Sequence, residues 1–454
     1  PKAEQSIQDE CAACHMPMTR YKAKIGGQKG KVFAHMPLLP AKGQAARLAE
    51  EGVSCSMCHQ IQPELLGTEE SFTAGFAVDT QTKMGQRTAF GPYEVDQGRT
   101  RIMKSAAQLI PQKGMHVQNS ALCGSCHTLY THSRGPDGGI IGKLPEQMPY
   151  LEWRHSDYYQ IQHCQSCHMP QLQKRMQITA VVGQPRENFS RHVFRGGNFL
   201  MPKIFNQNRF ELGIKIRSME LIRASRETMN NLKTNAALVS IRAAEIRGGF
   251  LECKVEVSNM AGHKLPTAYP SRRVWIHLAV KDNSGKIVFE SGALKPDGSI
   301  GGNDNDVDRT RYEPHYDSIE KPEQVQIYEA IMVDPEENVT TGLLRAVRFI
   351  KDNRLLPAGF DKSTANGDIA VRGKARRDED FIGTVDVIRY RIPVDADKGA
   401  FIVQADLWYQ PIAFRWARNL KQQQAEEIDR FVSYFDAIAG KSGIIMAKDT
   451  KRAE

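Results

Sequence analysis

Four copies of one five-residue pattern constrain this chain more than any other feature of its sequence. Cysteine pairs separated by two residues are each followed at once by histidine in CAACH, CSMCH, CGSCH and CQSCH, all within the first 168 of 454 residues. The two thiols of such a pair lie about one helical turn apart. This spacing is typical of c-type haem attachment, in which each thiol bonds a vinyl group of the porphyrin and the histidine binds iron.

The simpler uses of paired cysteines explain four such copies poorly. A zinc site does not require histidine directly after the second cysteine, and a dithiol enzyme needs a single pair. The sequence therefore predicts four covalently bound haem c groups. The attaching residues are Cys11, Cys14, Cys55, Cys58, Cys123, Cys126, Cys164 and Cys167. The proximal iron ligands are His15, His59, His127 and His168.

Nine of the 13 histidines remain as candidates for the second axial position of each iron. His35 lies in a proline-bounded loop, and His116 lies shortly before the third motif. His192 precedes a Gly-Gly-Asn turn, where backbone can approach a flat ring closely. His155 follows an aromatic-rich stretch, with a solvent-facing helix position as the alternative. These four and His263 are the distal candidates.

The stretch GHKLPTAYPSRR, residues 262–273, carries no cofactor motif. It places His263 on an irregular turn, where it is either an iron ligand or a hydrogen-bonded turn residue. In the first case Arg272 and Arg273 are available for haem propionates. His315, in RYEPHYD, lies near acidic residues and is predicted to be a surface residue or a neighbour of a metal site.

Charge and hydropathy exclude two classes of partner. The formal charge of +9 is nearly cancelled by about eight propionates of four haems, and no dense basic run indicates nucleic-acid binding. No window is apolar for the roughly 18 residues that would span a bilayer. Because c-type haem is attached outside an energy-coupling membrane, we expect a periplasmic, cell-surface or extracellular protein. The chain begins at Pro1, so we expect its start to be processed or truncated.

Three regions follow from the patterns along the chain, and the predicted fold class is α+β. Residues 1–202 carry all four motifs, with short helical pieces and irregular segments packed around haem. Residues 203–234 show apolar positions at three and four spacing and predict one long connecting helix. Residues 235–454 alternate and predict an antiparallel, β-sandwich-like domain with added helices.

Several details of the last region can be predicted from local pattern. Leu251, Cys253, Val255 and Val257 share one strand face, so the ninth cysteine is predicted to be a buried core thiol. Residues 283–285 are predicted to turn a hairpin. Helices are expected within residues 340–352 and 423–439.

A second metal site is an alternative for the loop GGNDNDVD. Asp304, Asp306 and Asp308 alternate there and offer the hard oxygen ligands that suit calcium. The loop lacks the glycine and the terminal glutamate of an EF-hand, and a solvated acidic loop is the simpler interpretation. We therefore treat Ca²⁺ as the weaker cofactor prediction beside haem.

The phrases CAACHMPM, GVSCSMCHQI, AFGPY, LCGSCHTLYTH, PYLEWRHSDY, CQSCHMP and HVFRGGNF resemble those of multihaem c-type cytochromes of the tetrahaem cytochrome c-554-like family. The later stretch GHKLPTAYPSRRVWIHL is similar to the β-rich tail of a subset from metal-reducing and related microbes. The resemblance implies long-range electron transfer. Some members of that family polymerise into extracellular filaments, so the resemblance also implies a possible role for this chain as a filament subunit.

The motifs and the spare histidines lead to two alternative functions that can be tested. The first is an exported electron carrier with four closely spaced bis-histidine haems, whose partners are other cytochromes, an extracellular acceptor or further copies of itself. Its motivation is that spare histidines suffice to close every iron. The alternative is a multihaem oxidoreductase that acts on a small nitrogen or sulfur compound at one open haem.

Overall fold

Two groups of residues form separate units in the structure, a computed structural model that describes residues 2–35, 43–179, 183–395 and 399–453. The first unit comprises Pro1–Tyr130, Arg134–Ile140 and Gln160–Arg195. The second comprises Thr131–Ser133, Ile141–Tyr159 and Gly196–Glu454. Residues 141–159, which carry His155, thus belong with the β-rich part of the chain and not with the segments that carry the motifs.

Helices occur throughout the chain and are mostly short. In chain order they are α1 (Lys2–His15), α2 (Pro17–Ile25), α3 (Gly43–Glu50), α4 (Cys55–Cys58), α5 (Gln97–Ala107), α6 (Ser120–Gly124), α7 (Pro149–Arg154), α8 (Cys164–His168), α9 (Leu200–Gln207), α10 (Ser218–Asn235), α11 (Asp304–Val307), α12 (Phe414–Leu420) and α13 (Glu426–Asp436). No helix among the described residues is both long enough and apolar enough to cross a membrane.

The chain forms strands β1 to β16 among its described residues, and most of them lie in the second unit. They are β1 (Arg87–Gly91), β2 (Leu109–Lys113), β3 (Leu129–Arg134), β4 (Ile140–Gln147), β5 (Ala237–Arg247), β6 (Phe250–Asn259), β7 (Arg273–Lys281), β8 (Ile287–Ser291), β9 (Ser318–Ile319), β10 (Ile327–Tyr328), β11 (Ala330–Val333), β12 (Val339–Thr340), β13 (Arg348–Asp352), β14 (Val385–Pro393), β15 (Phe401–Gln410) and β16 (Ile444–Ala453). With the helices they make the fold α+β, as predicted.

The first unit combines its short helices with the parallel pair of β1 and β2. Side chains from three separate segments meet in a small apolar cluster. Its buried members are Ala13, Met57, Ile61, Ala74 and Phe76. Cys14 and Cys126 pack against the same cluster, so the first and third motifs border one apolar core.

The second unit is built on three sheets. Their strand orders are β10-β7-β15-β16 with β8 on β7, β5-β6-β14-β9, and β12-β11-β13. All of these pairings are antiparallel except that of β14 with β9. The predicted hairpin turn at residues 283–285 joins β7 to β8, and Gly285 adopts a φ of 81° there.

Burial along β6 confirms the alternation read from the sequence. Leu251, Val255 and Val257 are fully buried, and Cys253 is 2% exposed. Cys253 is therefore a core thiol, and burial raises its pKa to about 12. The intervening residues of this strand are exposed or half-buried, as expected for a sheet with one covered face.

The single helix predicted over residues 203–234 is wrong, because the chain forms α9 and α10 with a break between them. Gly213 lies in that break with a φ of 60°, a conformation that no helix contains. Arg209 donates its Nε–H to the carbonyl of Ile216 at 2.7 Å and closes the loop. Apolar spacing continued across the break, so periodicity alone did not reveal it.

The helix predicted within residues 340–352 is also wrong. This segment ends as strand β13, which pairs with β11 through Ala330↔Asp352 and Val333↔Arg348. Pairing with a strand distant in sequence overrides a local helical pattern here. The helix predicted within residues 423–439 is confirmed by α13.

Candidate haem-binding motifs and histidine ligands

Each C-x-x-C-H motif contains a short turn of helix in the first unit. The first ends α1, the second begins α4, the third begins near the end of α6, and the fourth begins α8. In the second, the His59 N–H donates to the Cys55 carbonyl at 3.2 Å, and in the third, the His127 N–H donates to the Cys123 carbonyl at 2.8 Å. These bonds hold the second and third cysteine pairs, each with its histidine, in the compact turn that attachment to one porphyrin requires.

Thiols of different motifs lie next to one another. Cys126 is in side-chain contact with Cys14, and Cys123 is in side-chain contact with Cys164. Hydrogen bonding between Cys123 and Cys164, followed by burial, raises the pKa of Cys123, whereas the same contact lowers the pKa of Cys164 to about 7. No disulfide joins any of the nine cysteines, all of which are described. The attachment points of the first, third and fourth motifs are therefore clustered.

Backbone carbonyls orient two of the proximal histidines. His59 Nδ1 lies 2.6 Å from the carbonyl oxygen of Phe90, and His168 Nδ1 contacts the carbonyl of Arg195. A carbonyl only accepts, so Nδ1 carries the proton and donates it, and Nε2 keeps the lone pair in a neutral ring. Metal-binding histidines are typically fixed in this way through their second nitrogen. Both rings thus present Nε2 as the ligand atom.

His192 is the distal candidate that the structure brings to a proximal histidine within the first unit. Its ring centroid lies 6.2 Å from that of His59, with the ring planes inclined by 32°. Two imidazoles bound to opposite sides of one metal, with bonds of about 2 Å, hold their centroids roughly 6 Å apart. Phe189 and Phe194 contact the His192 ring at centroid distances of 6.4 and 5.9 Å. The spacing of His59 and His192 therefore fits a bis-histidine iron.

In His116 and His155, Nε2 forms a hydrogen bond with a backbone carbonyl. His116 Nε2 lies 2.9 Å from the carbonyl oxygen of Ile61 in the first unit. His155 Nε2 lies 2.9 Å from the carbonyl oxygen of Asp361 in the second unit. Each ring therefore donates through Nε2, and only Nδ1 remains as a lone-pair nitrogen. Neither arrangement matches a ligand that binds iron through Nε2.

His263 has the opposite orientation. Its Nδ1 lies 2.9 Å from the carbonyl oxygen of Lys264, so Nδ1 donates and Nε2 carries the lone pair. This is the tautomer seen at His59, although His263 belongs to the second unit. The remaining candidate, His35, has a side chain outside the described residues.

The three aspartates predicted as a calcium alternative bind protein groups. Asp306 Oδ1 forms an ion pair of 2.9 Å with Arg273, and its Oδ2 accepts from the Ile300 N–H at 2.8 Å. Asp304 pairs with Arg311, and Asp308 Oδ1 accepts from the backbone and side chain of Thr310. The carboxylates face different partners, so this geometry gives no support to a calcium site there. Arg273, proposed for propionates, is committed to Asp306.

Sequence reasoning missed the orienting groups, since Phe90 and Arg195 act through backbone carbonyls. Phe90 lies in the AFGPY phrase, but nothing in a side-chain pattern marks a carbonyl that will meet a distant imidazole. The pairing of His59 with His192 was likewise beyond reach, because it joins segments far apart in the sequence. The sequence alone could identify His59 as a proximal ligand and His192 as a candidate distal ligand, but not that the two lie together.

The fold is similar to that of a penta-haem cytochrome c552 from Thermochromatium tepidum, with a TM-score of 0.52 and 15% sequence identity. The similarity covers 97% of this chain and 83% of that chain. Neither a protein-family model nor a curated protein matches the chain. At this level of identity the likeness establishes the fold, and function has to be argued from the site.

Proposed function

We propose that this protein is an electron carrier that holds four c-type haems in its first unit. The observation that carries the proposal is the 6.2 Å spacing of His59 and His192, with His59 Nδ1 held by the Phe90 carbonyl. This arrangement closes both axial positions of one iron, which suits electron transfer and excludes a substrate from the metal. When bound, haem supplies an iron that gains and loses one electron.

The chain's own residues account for the rest of the proposal. Cysteines of four motifs bond the porphyrins, and the clustering of Cys14 with Cys126 and of Cys123 with Cys164 would keep neighbouring porphyrins close. The likeness to a penta-haem cytochrome supports a haem-packed fold, although that protein has five haems and this chain has four motifs. His263, through Nε2, and His35 are our proposed ligands for other irons.

An exported location belongs to the same proposal. It rests on the chemistry of c-type attachment, and fractionation of cells that express the protein would test it. The most specific version of the proposal is that many copies of the protein assemble into a filament. Negative-stain microscopy of the purified protein over a range of concentrations tests filament assembly, and uniformly dispersed monomers at every concentration would rule it out.

The second candidate is an oxidoreductase that acts on a small nitrogen or sulfur compound at an open haem. The specific observation in its favour is that His116 and His155 both donate through Nε2 to backbone carbonyls. Fewer histidines are then left to close four irons, and an iron with one open position can bind a substrate.

One pair of measurements separates the two functions. The reduced protein is mixed with oxidised cytochrome c in a stopped-flow instrument, and nitrite, hydroxylamine and sulfite are assayed with the same preparation. Rapid reoxidation of four haems without turnover of these compounds supports the carrier. Turnover well above that of free haem, together with a high-spin signal in the resting protein, would overturn the carrier and support the enzyme.

A further inference from the structure

A buried cluster of one histidine and two aspartates lies in the second unit, apart from every haem motif. His315 precedes β9, Asp378 lies in the loop before β14, and Asp386 lies on β14. The side chains of His315 and Asp386 are fully buried, and that of Asp378 is 5% exposed. One ligand atom from each of the three lies within 4.8 Å of the other two. Carboxylates are rarely buried so completely unless they are paired or bind a cation.

The separations of these atoms are close to those around a small metal ion. His315 Nε2 lies 2.9 Å from Asp378 Oδ2 and 3.9 Å from Asp386 Oδ1. A tetrahedral ion with bonds of about 2.0–2.2 Å separates its ligand atoms by roughly 3.3–3.6 Å. The two distances from His315 Nε2 differ from these values by only about half an ångström.

Asp386 gives an independent sign of a ligand. Its Oδ2 accepts from the Tyr328 hydroxyl at 2.6 Å and from Gln326 Nε2 at 3.2 Å. Its Oδ1, also fully buried, has no hydrogen-bond partner within the described part of the chain and points towards His315 Nε2. A buried carboxylate oxygen that lacks a partner is costly to maintain. A cation between Asp386 and His315 would satisfy it.

Asp317 lies beside the cluster, and its carboxyl group is in hydrogen-bonding contact with that of Asp378. A third carboxyl group is thus next to His315, Asp378 and Asp386.

The amides around His315 set a condition for metal binding. Gln326 Nε2 and Asn353 Nδ2 lie 2.8 and 3.1 Å from His315 Nδ1. Their oxygens accept from the backbone N–H groups of Tyr316 and Glu329, so both amides donate to Nδ1 and the ring proton lies on Nε2. A metal-bound Nε2 requires the proton on Nδ1 instead. Binding therefore moves the ring proton from Nε2 to Nδ1 by exchange with solvent, without net proton release. The Gln326 amide then has to turn so that its oxygen accepts from Nδ1–H, and it gives up its bond to Asp386 Oδ2.

We propose that His315, Asp378 and Asp386 bind one divalent transition-metal ion of the zinc or manganese class. A mixed set of one imidazole and two carboxylates suits these ions, whereas calcium takes oxygen ligands alone. Two carboxylates balance the charge of the ion while the imidazole stays neutral. The ion joins β14 to two loops of the second unit, and its role is structural. This inference is independent of the proposed electron transfer.

The second unit contains a matched control. His277 also contacts two carboxylates, Glu290 at 3.1 Å through Nε2 and Asp406 at 3.6 Å through Nδ1. Because these contacts use opposite nitrogens of the ring, the three groups do not converge on one ion. Asp406 is 3% exposed, so Asp406→Asn changes a carboxylate as buried as that of Asp386 without touching the proposed site.

The experiment uses the full-length, haem-loaded protein after treatment with a chelator. Zn²⁺, Mn²⁺ and Ca²⁺ are titrated in turn by calorimetry, and bound zinc is counted by mass spectrometry after gel filtration. Wild type and Asp406→Asn should bind one more Zn²⁺ than Asp386→Asn, whose affinity at this site should fall at least about 100-fold.

X-ray absorption at the zinc edge of wild type keeps the proposal testable even if a variant fails to fold. A first shell of nitrogen and oxygen supports it, and a shell that contains sulfur overturns it. Equal zinc stoichiometry in wild type and a folded Asp386→Asn variant, or tighter binding of Ca²⁺ than of Zn²⁺, also overturns it.

Discussion

The imidazole rings of His59 and His192 lie with their centroids 6.2 Å apart, and the carbonyl of Phe90 fixes the tautomer of His59. His59 belongs to the second motif, and His192 lies near the end of the first unit's sequence. Their spacing therefore reflects the fold and not a local motif. Of the five candidates, His192 is therefore the one we propose as the distal ligand for the second motif.

If four haems are bound as proposed and His192 closes one of them, replacement of His192 by alanine should convert one haem in four from low-spin to high-spin. The variant would lack one axial ligand while the other three irons keep theirs. Electron paramagnetic resonance of the oxidised protein measures the change. His277→Ala is the control, since that ring contacts Glu290 and Asp406 in the second unit. An unchanged low-spin spectrum for His192→Ala would show that another residue closes this iron.

The ninth cysteine allows the attachment of haem to be counted. If every motif cysteine is bonded to porphyrin, denatured holoprotein should expose a single reactive thiol, that of Cys253. The native protein should expose none to a thiol reagent, because Cys253 is 2% exposed and burial raises its pKa to about 12. Titration with a chromogenic disulfide before and after denaturation measures both numbers.

Cys253→Ala provides the control for that count and should leave no reactive thiol after denaturation. Loss of one buried sulfur should cost only about 1 kcal/mol of stability, so the variant should still fold. Three thiols in the denatured wild type would mean that one motif carries no haem.

Local patterns were sufficient for part of this structure. The turn within each C-x-x-C-H motif follows from its spacing, and the alternation of Leu251, Cys253, Val255 and Val257 was enough to place one face of β6 in the core. In both cases the property depends on residues within a few positions of each other. The hairpin between β7 and β8 was predictable for the same reason.

Long-range contacts account for what could not be predicted. Residues 348–352 form a strand because β11 is beside them, and no nearby residue carries that information. Asp378 and Asp386 meet His315 only because a loop and a strand converge on it. The sequence indicated that His315 lies near acidic residues, but its neighbours in RYEPHYD include only one of the aspartates that surround it, Asp317.

A comparison of His263 with His155 tests the assignment of distal ligands by tautomer. If His263 binds iron as proposed, His263→Ala should perturb the spectrum of one haem; its ring donates through Nδ1 to the Lys264 carbonyl and carries its lone pair on Nε2. His155→Ala should leave the haem spectra unchanged, because its Nε2 donates to the Asp361 carbonyl. Visible and near-infrared magnetic circular dichroism distinguishes the two. The opposite result would show that the tautomers of these two histidines do not decide which one binds iron.

Four charged residues form a buried network in the second unit around the loop that carries His263. Lys264 Nζ lies 2.8 Å from Asp352 Oδ2, and Arg354 lies 2.7 Å from Asp352 and 2.9 Å from Glu152. Burial opposes ionisation of Asp352, but Arg354 and Lys264 outweigh it and hold the pKa of this carboxyl well below its usual range. Asp352 is therefore a counter-ion for both cations, and Glu152 is a second one for Arg354.

Replacement of Asp352 by asparagine should lower the free energy of unfolding by about 3–5 kcal/mol at pH 7, because it leaves buried positive charge uncompensated. A carboxyl group whose pKa is depressed in the folded state stabilises the fold fully when the pH is above its pKa in the unfolded chain, about 3.9. This contribution is lost as the pH falls below that value towards the folded-state pKa. The difference between wild type and variant should therefore shrink below about pH 4. Denaturant titrations at several pH values, followed by circular dichroism, measure it.

Asp436→Asn supplies the comparison for this effect. Asp436 pairs with Lys421 at 2.6 Å, but its side chain is 52% exposed. Solvent screens such a pair, so its removal should change stability by less than about 0.5 kcal/mol at pH 7. Equal losses in the two variants would mean that burial of Asp352 does not strengthen its pairing. A gap between wild type and Asp352→Asn that persists well below pH 4 would contradict the depressed pKa.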